Sequence, residues 1–359
     1  MVTRAARFEL REASIEDADG IAALFREADP RADFGSAGFS RVWRWLHFEN
    51  PAAMTYALVA RDEHQRIVGH LGLMPLRFVV DGDAQIAGAA CQLVIAPEFR
   101  HTSLFRSIEL RLLRCYEQKG FAFVLALVNR PRVLPLHLAF GFQELGQLHV
   151  YARALRAERV AEQVAAPRVA AAAGWALRAL NPLLRRSWYR PPAGIRVTQL
   201  TEFDESVRPL MASFGDGLVA ERDERVLRWR FIDAPGRGYR IFGAFEGRRL
   251  VGYVVVRAMP MRALRGLAIV DIVFDPRRRD IGLALIGHAL DVAKVEDVDL
   301  AAALFNPTDP RLGPFRRAGY IRTAERFTLL VHQPTRGLRS QGLGSFRDWR
   351  VGWFEHDNV

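Results

Sequence analysis

The stretch RVWRWLHFENPA at residues 41–52 returns as RVLRWRFIDAPG at residues 225–236, so Arg41, Arg44, Trp45 and Pro51 recur as Arg225, Arg228, Trp229 and Pro235, 184 positions on. Outward from this pair, IVGHLGL (67–73) is answered by LVGYVVV (250–256), and PEFRHTSLF (97–105) by PRRRDIGLA (276–284). ALVNRP (126–131) is answered by ALFNPT (303–308), and FGF (140–142) by AGY (318–320), where the offset has drifted only to 178. Matches in one order at nearly constant spacing mark a duplicated domain. A chain of 359 residues, 50% hydrophobic and 25% charged, has room for two such domains with a core in each.

Composition narrows the partners. There is no uncharged apolar run long enough to span a bilayer, and the start MVTRAARFELREA lacks the apolar core of a secretory signal, so a cytoplasmic protein is expected. Cys91 and Cys115 have no spacing for a disulfide framework or a metal site and are expected as buried thiols. The net charge of +11 calls for an anionic partner: nucleic acid, a membrane surface or a phosphate-rich cofactor. No zinc-finger spacing, helix-turn-helix turn or aromatic RNP-like strand supports nucleic acid, which is not favoured.

Each copy shows the same order of elements. In the first, FELREAS (8–14) alternates as a strand, and Ser14 with Asp17 opens a helix to residue 29. Strands are expected at 55–62, 66–82 and 87–97, then a helix over 102–118 with Leu104, Ile108, Leu112 and Leu113 on one side. The apolar run 121–129 reads as a buried strand and 132–140 as a short helix before Gly141. The second copy repeats this from 195–211 through 239–259, 268–276, a helix at 281–296, a strand at 299–306 and a helix before Gly319. The resulting division is a first domain at 1–153, an alanine- and arginine-rich helical connector at 154–194, a second domain at 195–335, and a tail at 336–359 packing as a strand. Within the connector, residues 175–190 mix Trp175, Leu177, Leu180, Leu183, Leu184 and Trp188 with Arg178, Arg185, Arg186 and Arg190. That composition suits an anionic membrane surface or an apolar face packed on a domain.

The order strand, helix, three antiparallel strands, Arg-x-x-Gly-x-Ala loop, helix, strand, helix, Gly-aromatic resembles the GNAT acyltransferases. Arg279-Asp280-Ile281-Gly282-Leu283-Ala284 fits the family's loop in full, preceded by Ile272, Val273 and Pro276. The resemblance implies an α/β fold with a mixed sheet, two tandem GNAT-like domains and an acyl-CoA donor, acetyl-CoA or a longer thioester. It also implies that the pyrophosphate lies at the N-terminus of the helix after the loop, where unpartnered N–H groups converge. Small residues at 282 and 284 are expected to let the backbone approach the phosphates, with Arg279 adding charge. The first copy departs from the pattern: its loop is Arg100-His101-Thr102-Ser103-Leu104-Phe105, which leaves Arg100, Ser103 and Leu104 as a weakened cradle. The second copy is therefore the expected CoA site if only one binds.

The family's thiolate-protonating tyrosine falls on His137 in the first copy and Phe315 in the second, so His137 is the candidate acid. Near the fourth strand, the resemblance points for the base to Gln92 and Glu98 in the first copy and Asp271 in the second. Asn129 and Asn306, after the fifth strand, are candidates for binding pantetheine or the acyl carbonyl. WRWLHFENP, RIVGHLGLMP and the end WRVGWFEHDNV also resemble GNAT-type proteins of bacterial surface polysaccharide synthesis. That likeness implies a small-molecule or glycan amine acceptor, attacked directly without a covalent enzyme intermediate. Two alternatives are an aminoacyl transferase acting on a peptidoglycan precursor and a non-catalytic CoA-binding scaffold.

Overall fold

A computed structural model describes residues 7–29, 37–80, 82–164, 193–214, 217–333, 343 and 345–356. In the first copy the strands are β1 (Glu9–Glu12), β2 (Tyr56–Arg61), β3 (Ile67–Val80), β4 (Asp83–Ile95), β5 (Phe123–Val128) and β6 (Gln143–Ala154). The second repeats them as β7 (Ile195–Leu200), β8 (Arg240–Glu246), β9 (Arg249–Met261), β10 (Leu264–Phe274), β11 (Leu300–Phe305) and β12 (Ile321–His332). The helices are α1 (Ala18–Ala28), α2 (Gly38–Phe48), α3 (Leu104–Cys115), α4 (Leu134–Ala139), α5 (Ala157–Val164), α6 (Glu224–Leu227), α7 (Arg279–Val295) and α8 (Leu312–Arg317).

All described strands join one sheet in the order β1-β2-β3-β4-β5-β12-β6-β11-β10-β9-β8-β7. This order maps onto itself when each strand is exchanged with its counterpart in the other copy. The copies are not side by side at the centre: β5 pairs with β12, β12 with β6, and β6 with β11, all antiparallel. Each copy thus gives its last strand to the other. β6 and β12 are not expected as strands from the sequence, and the boundary at residue 153 falls at the end of a strand built into the opposite copy.

The exchange is sealed by the repeat itself. Residues 41–48 lie on α2, and their counterparts form α6 and the π-helical turn Arg228–Ile232. Trp45 and Trp229 stack with ring centroids 4.9 Å apart. Trp45 Nε1–H donates to the Trp229 carbonyl at 3.0 Å, and Trp229 Nε1–H returns the bond to the Trp45 carbonyl at 3.2 Å. Around them one apolar core takes residues from both copies, with Leu46, Phe78, Phe123, Leu227, Phe231 and Trp349 among its members. On the opposite face, α3 packs on β2, β3 and β5, and α7 and α8 pack on β8–β11.

Two expectations change. The helix expected at the start of the second copy is a 3-10 stretch over Glu205–Phe214, because Pro209 lies inside it and supplies no N–H for an α-helical ladder. Among its described residues the tail forms no strand: residues 345–356 hold two 3-10 turns and a single bridge between Leu218 and Trp349. The connector begins as α5, and residues 175–190 lie outside the described residues.

The exchange predicts that residues 1–153 and 195–359, produced separately, fail to give folded protein. Each would lack the strand that covers an edge of its own sheet and half of the tryptophan pair. Co-expression of the two should restore a soluble complex by size exclusion; a well-dispersed NMR spectrum from either half alone would contradict the exchange.

Candidate functional site

The sheet opens in two symmetry-related places. β4 and β5 are parallel and pair only from Ala87–Phe123 to Ala89–Leu125, and β10 and β11 only from Gly266–Leu300 to Ile269–Ala303. Just beyond, β4 is irregular opposite His70–Gly72 and β10 between Ile269 and Asp271. An extra residue bends each strand away from its neighbour, leaving a split between parallel strands and two helix N-termini at their ends.

The second split is filled by the chain's own tail. Arg350–Phe354 lie with Ile269–Ile272, Leu304 and Phe305 around one small cavity. The Asn306 amide donates to the Phe346 carbonyl at 2.6 Å and the Trp349 carbonyl at 3.1 Å. Gly352 lies so close to β11 that a Cβ there would meet the Leu304 carbonyl oxygen at 2.9 Å. The buried Arg222 guanidinium bridges Asp271 of β10 and Glu355 of the tail, each at 3.0 Å, and stacks on Phe354 at 4.0 Å. Tyr253 donates to the same Asp271 at 2.7 Å, and Arg311 donates to the Ile272 carbonyl at 2.8 Å. Burial raises the Glu355 carboxyl, with Arg222 opposing.

The helix end beside this split is also taken. Asp280 pairs with Arg278 at 2.9 and 3.1 Å, which is the main reason its carboxyl is held low. It lies in the first turn of α7, at the positive end of that helix. Gly282 faces inward: a Cβ there would meet the Phe274 ring at 2.6 Å and Pro314 at 2.9 Å. Its small size serves core packing.

The first split keeps these positions open. Gln92, Leu93, Leu127 and Val128 are partly exposed, and Asn129, the counterpart of Asn306, is exposed. Ser103 has φ −74°, so the turn needs no glycine. The turn is fixed by Thr102 Oγ1, which donates to the Phe99 carbonyl at 2.7 Å and accepts from Leu104 N–H at 3.2 Å. The N–H groups of Phe105 and Arg106 have no backbone partner among the described residues. His101 stands where Asp280 stands in the second copy, and His101 and Arg106 are exposed. Phe105 packs near His137 and Phe140 at ring distances of 6.2 and 5.7 Å.

No family model matches the chain, and no curated protein matches it in sequence. Solved structures do match. A tandem GNAT protein from the clavulanic acid biosynthesis pathway superposes with TM-score 0.60 at 16% identity, covering 92% of this chain and 100% of that one. N-myristoyltransferase of Saccharomyces cerevisiae with bound myristoyl-CoA gives TM-score 0.64 at 12% identity, over 92% of this chain and 83% of that one. A putative acetyltransferase from Pyrococcus horikoshii gives 0.58 at 11%, over 96% and 94%. The chain has the tandem GNAT fold.

Within this tandem GNAT fold the sequence-derived candidates do not converge. His137 is only 5% exposed and its Nδ1 pairs with the buried Glu109 of α3 at 2.9 Å, between α3 and α4. Glu98 pairs with Arg66, and its own backbone N–H first and this pair second hold its carboxyl low. Asp271 is spent on Arg222 and Tyr253. The expected cradle of Ile272, Val273, Arg279, Ile281, Gly282, Leu283, Ala284 and Asn306 belongs to the filled split; Val273, Ile281 and Ala284 are core residues, and Arg279 is exposed. Arg100 braces the first turn, donating to the Ile95 carbonyl at 3.2 Å and the Ala28 carbonyl at 3.1 Å. Leu104 is buried beneath that turn. The sequence motifs gave no sign that the tail enters the second split or that Arg278 holds Asp280, because the first depends on contacts distant in the chain and the second on side-chain placement. Among the described residues there is no cluster suited to a metal ion and no helix long and apolar enough to cross a membrane.

Gly282→Ala should lower stability by about 1–3 kcal/mol through overpacking against Phe274, while CoA affinity stays unchanged. Thermal unfolding and calorimetry read the two effects separately. Unchanged stability with weakened CoA binding would return Gly282 to a phosphate cradle.

Proposed function

We propose that the chain is an acyl-CoA-dependent N-acyltransferase that takes its donor in the first split. The observation carrying this is the asymmetry of two equivalent sites. One has its strand split filled by the tail and a carboxylate, Asp280, in the first turn of its helix. The other leaves the Phe105 and Arg106 N–H groups without a backbone partner among the described residues at the start of α3, with the His101 and Arg106 side chains exposed. N–H groups at a helix start and nearby cations suit a pyrophosphate. The β4 edge from Ala90 to Leu93, beyond its last pair with β5, suits an extended amide-bearing arm such as pantetheine.

In this reading acyl-CoA supplies an activated thioester, and an amine attacks its carbonyl directly. Phe105, Arg106 and His101 bind the phosphates, and Asn129 lies at the end of the split to orient the arm. The second copy serves as scaffold and shares the central core. The sequence resemblance favours an amino sugar or another surface-polysaccharide precursor as acceptor, in a cytoplasmic setting where acyl-CoA is made. Contact of residues 175–190 with an anionic membrane would bring the chain to a lipid-linked acceptor.

Placing the second copy's carboxylate in the first copy tests the assignment. His101→Asp should weaken CoA binding at least about tenfold, the scale of one lost charge interaction at a partly desolvated phosphate, and Asp280→Ala should leave it unchanged. Calorimetry on the full chain should give one CoA per chain. Two per chain, or loss of binding in Asp280→Ala with His101→Asp unaffected, would place the donor elsewhere.

A further inference from the structure

The exchanged strands bring three basic side chains together at the end of β5, where the first split opens. Thr328 of β12 pairs with Val128, the last residue of β5, so Arg326 falls where Asn129 and Arg130 leave that strand. On the other side of β12, His149 of β6 stands directly opposite Arg326, and Tyr151 opposite Arg322. Successive residues of a strand alternate between faces and cross-strand partners share one, so Arg322, Arg326 and His149 lie on the same face. Along β12 that face also takes Leu330, which packs in the core with Leu112 and Leu113 of α3. It is the face that carries the start of α3.

Both arginines are exposed, and neither has a carboxylate partner among the described residues. The irregular stretch between them accounts for this. Thr323 Oγ1 donates to the Val150 carbonyl at 3.0 Å and accepts from Glu325 N–H at 3.2 Å, folding residues 323–325 out of the ladder. Glu325, the carboxylate adjacent to Arg326, is turned instead to Arg262 between β9 and β10. Bulges re-aim side chains in this way, and here the two arginines are left un-neutralised with stems roughly 7 Å apart along the ladder. His149 feels them: burial first, then Arg322 and Arg326, hold its ring below the usual histidine value. The pattern is missing at the filled split. Val128 and Phe305, each just before the matching asparagine, pair with Thr328 and His149. Exchanging the copies therefore sends His149 to Thr328 and Arg326 to the uncharged Gln147.

Like charges held side by side on a sheet are unfavourable, and an anion shared between them removes the cost. Guanidinium forks match the oxygens of a phosphate, and a neighbouring imidazole adds a further donor. We propose that Arg322 and Arg326, with His149 beside them, bind a phosphate group of a substrate at the open end of the first split. The second copy then lends more than scaffold: its exchanged strand carries both arginines into the first copy's site. The inference rests on the acyltransferase reading above, which supplies the substrates. Two of their groups share this chemistry: the 3′-phosphate of CoA, at the nucleotide end of the donor, and a phosphate carried by the amine acceptor.

Calorimetry on the full chain tests this in two arms, each comparing the wild type with a variant carrying both Arg322→Gln and Arg326→Gln. The first arm titrates CoA and 3′-dephospho-CoA. With the 3′-phosphate as ligand, the wild type prefers CoA at least about tenfold, the scale of charged contacts to one phosphate, and the variant binds both at the wild-type affinity for dephospho-CoA. The second arm titrates inorganic phosphate into the CoA-saturated chain. With an acceptor phosphate as ligand, CoA and dephospho-CoA bind alike, and phosphate binds the wild type at least about tenfold more tightly than the variant. Equal behaviour of wild type and variant in both arms overturns the inference and leaves the acyltransferase reading standing, since CoA still binds. A wild type that binds neither form of CoA overturns that reading instead. Phosphate titrated into the free chain then decides the arginine site alone: weaker binding by the variant supports it, and unchanged binding overturns it. Where circular dichroism shows the double variant unfolded, Arg326→Gln alone is read in the same arms.

Discussion

The reciprocal pair of Trp45 and Trp229 is the contact on which the rest of the molecule turns. Each indole N–H reaches the other residue's carbonyl, so neither bond can form unless both copies are folded and in register. Each bond contributes about 1 kcal/mol net, and the stacked rings roughly 0.5–1.5 kcal/mol beyond their burial. The geometric effect is larger than either. With α2 and the Arg228–Ile232 turn locked face to face, the two half-sheets meet at a fixed angle, and the long strands β6 and β12 fill the gap by crossing over. Two domains by sequence become one cooperative unit.

The second split is closed by side chains that would cost heavily if left alone. Arg222, Asp271 and Glu355 are all buried, and removing one partner from such a set strands a charge in an apolar core. The network is weak evidence for stability but strong evidence for position, because it admits one path for the tail. Asn306 and Gly352 fix the same path through backbone contacts. The copy so closed still supports the other through β12, which pairs with β5 along one wall of the open split.

How much of this was legible from the sequence differs by level. The duplication and much of the strand–helix order within each copy followed from the spacing of the repeat and from apolar periodicity, and the fold class from the resemblance to the GNAT acyltransferases. The exchange did not, because β6 and β12 were not expected as strands and their partners lie in the opposite copy. The loop motif picked out the copy whose split the tail fills. Arg279-x-x-Gly282-x-Ala284 matches on residue types that permit a close phosphate, yet Gly282 is small for Phe274, and Asp280 supplies its own anion. Conversely, Ser103 looked like a loss and is none, since its φ is negative. His137 was placed on its helix correctly, but a helix position does not reveal that Glu109 waits on the neighbouring one.

The central claim is that symmetry produced two splits and the tail left one. A crystal structure of the full chain with CoA tests this most directly. The account predicts one CoA, its pyrophosphate over the N–H groups of Phe105 and Arg106, its arm between β4 and β5, and residues 345–356 still seated between β10 and β11. CoA bound between β10 and β11 with the tail displaced would contradict it.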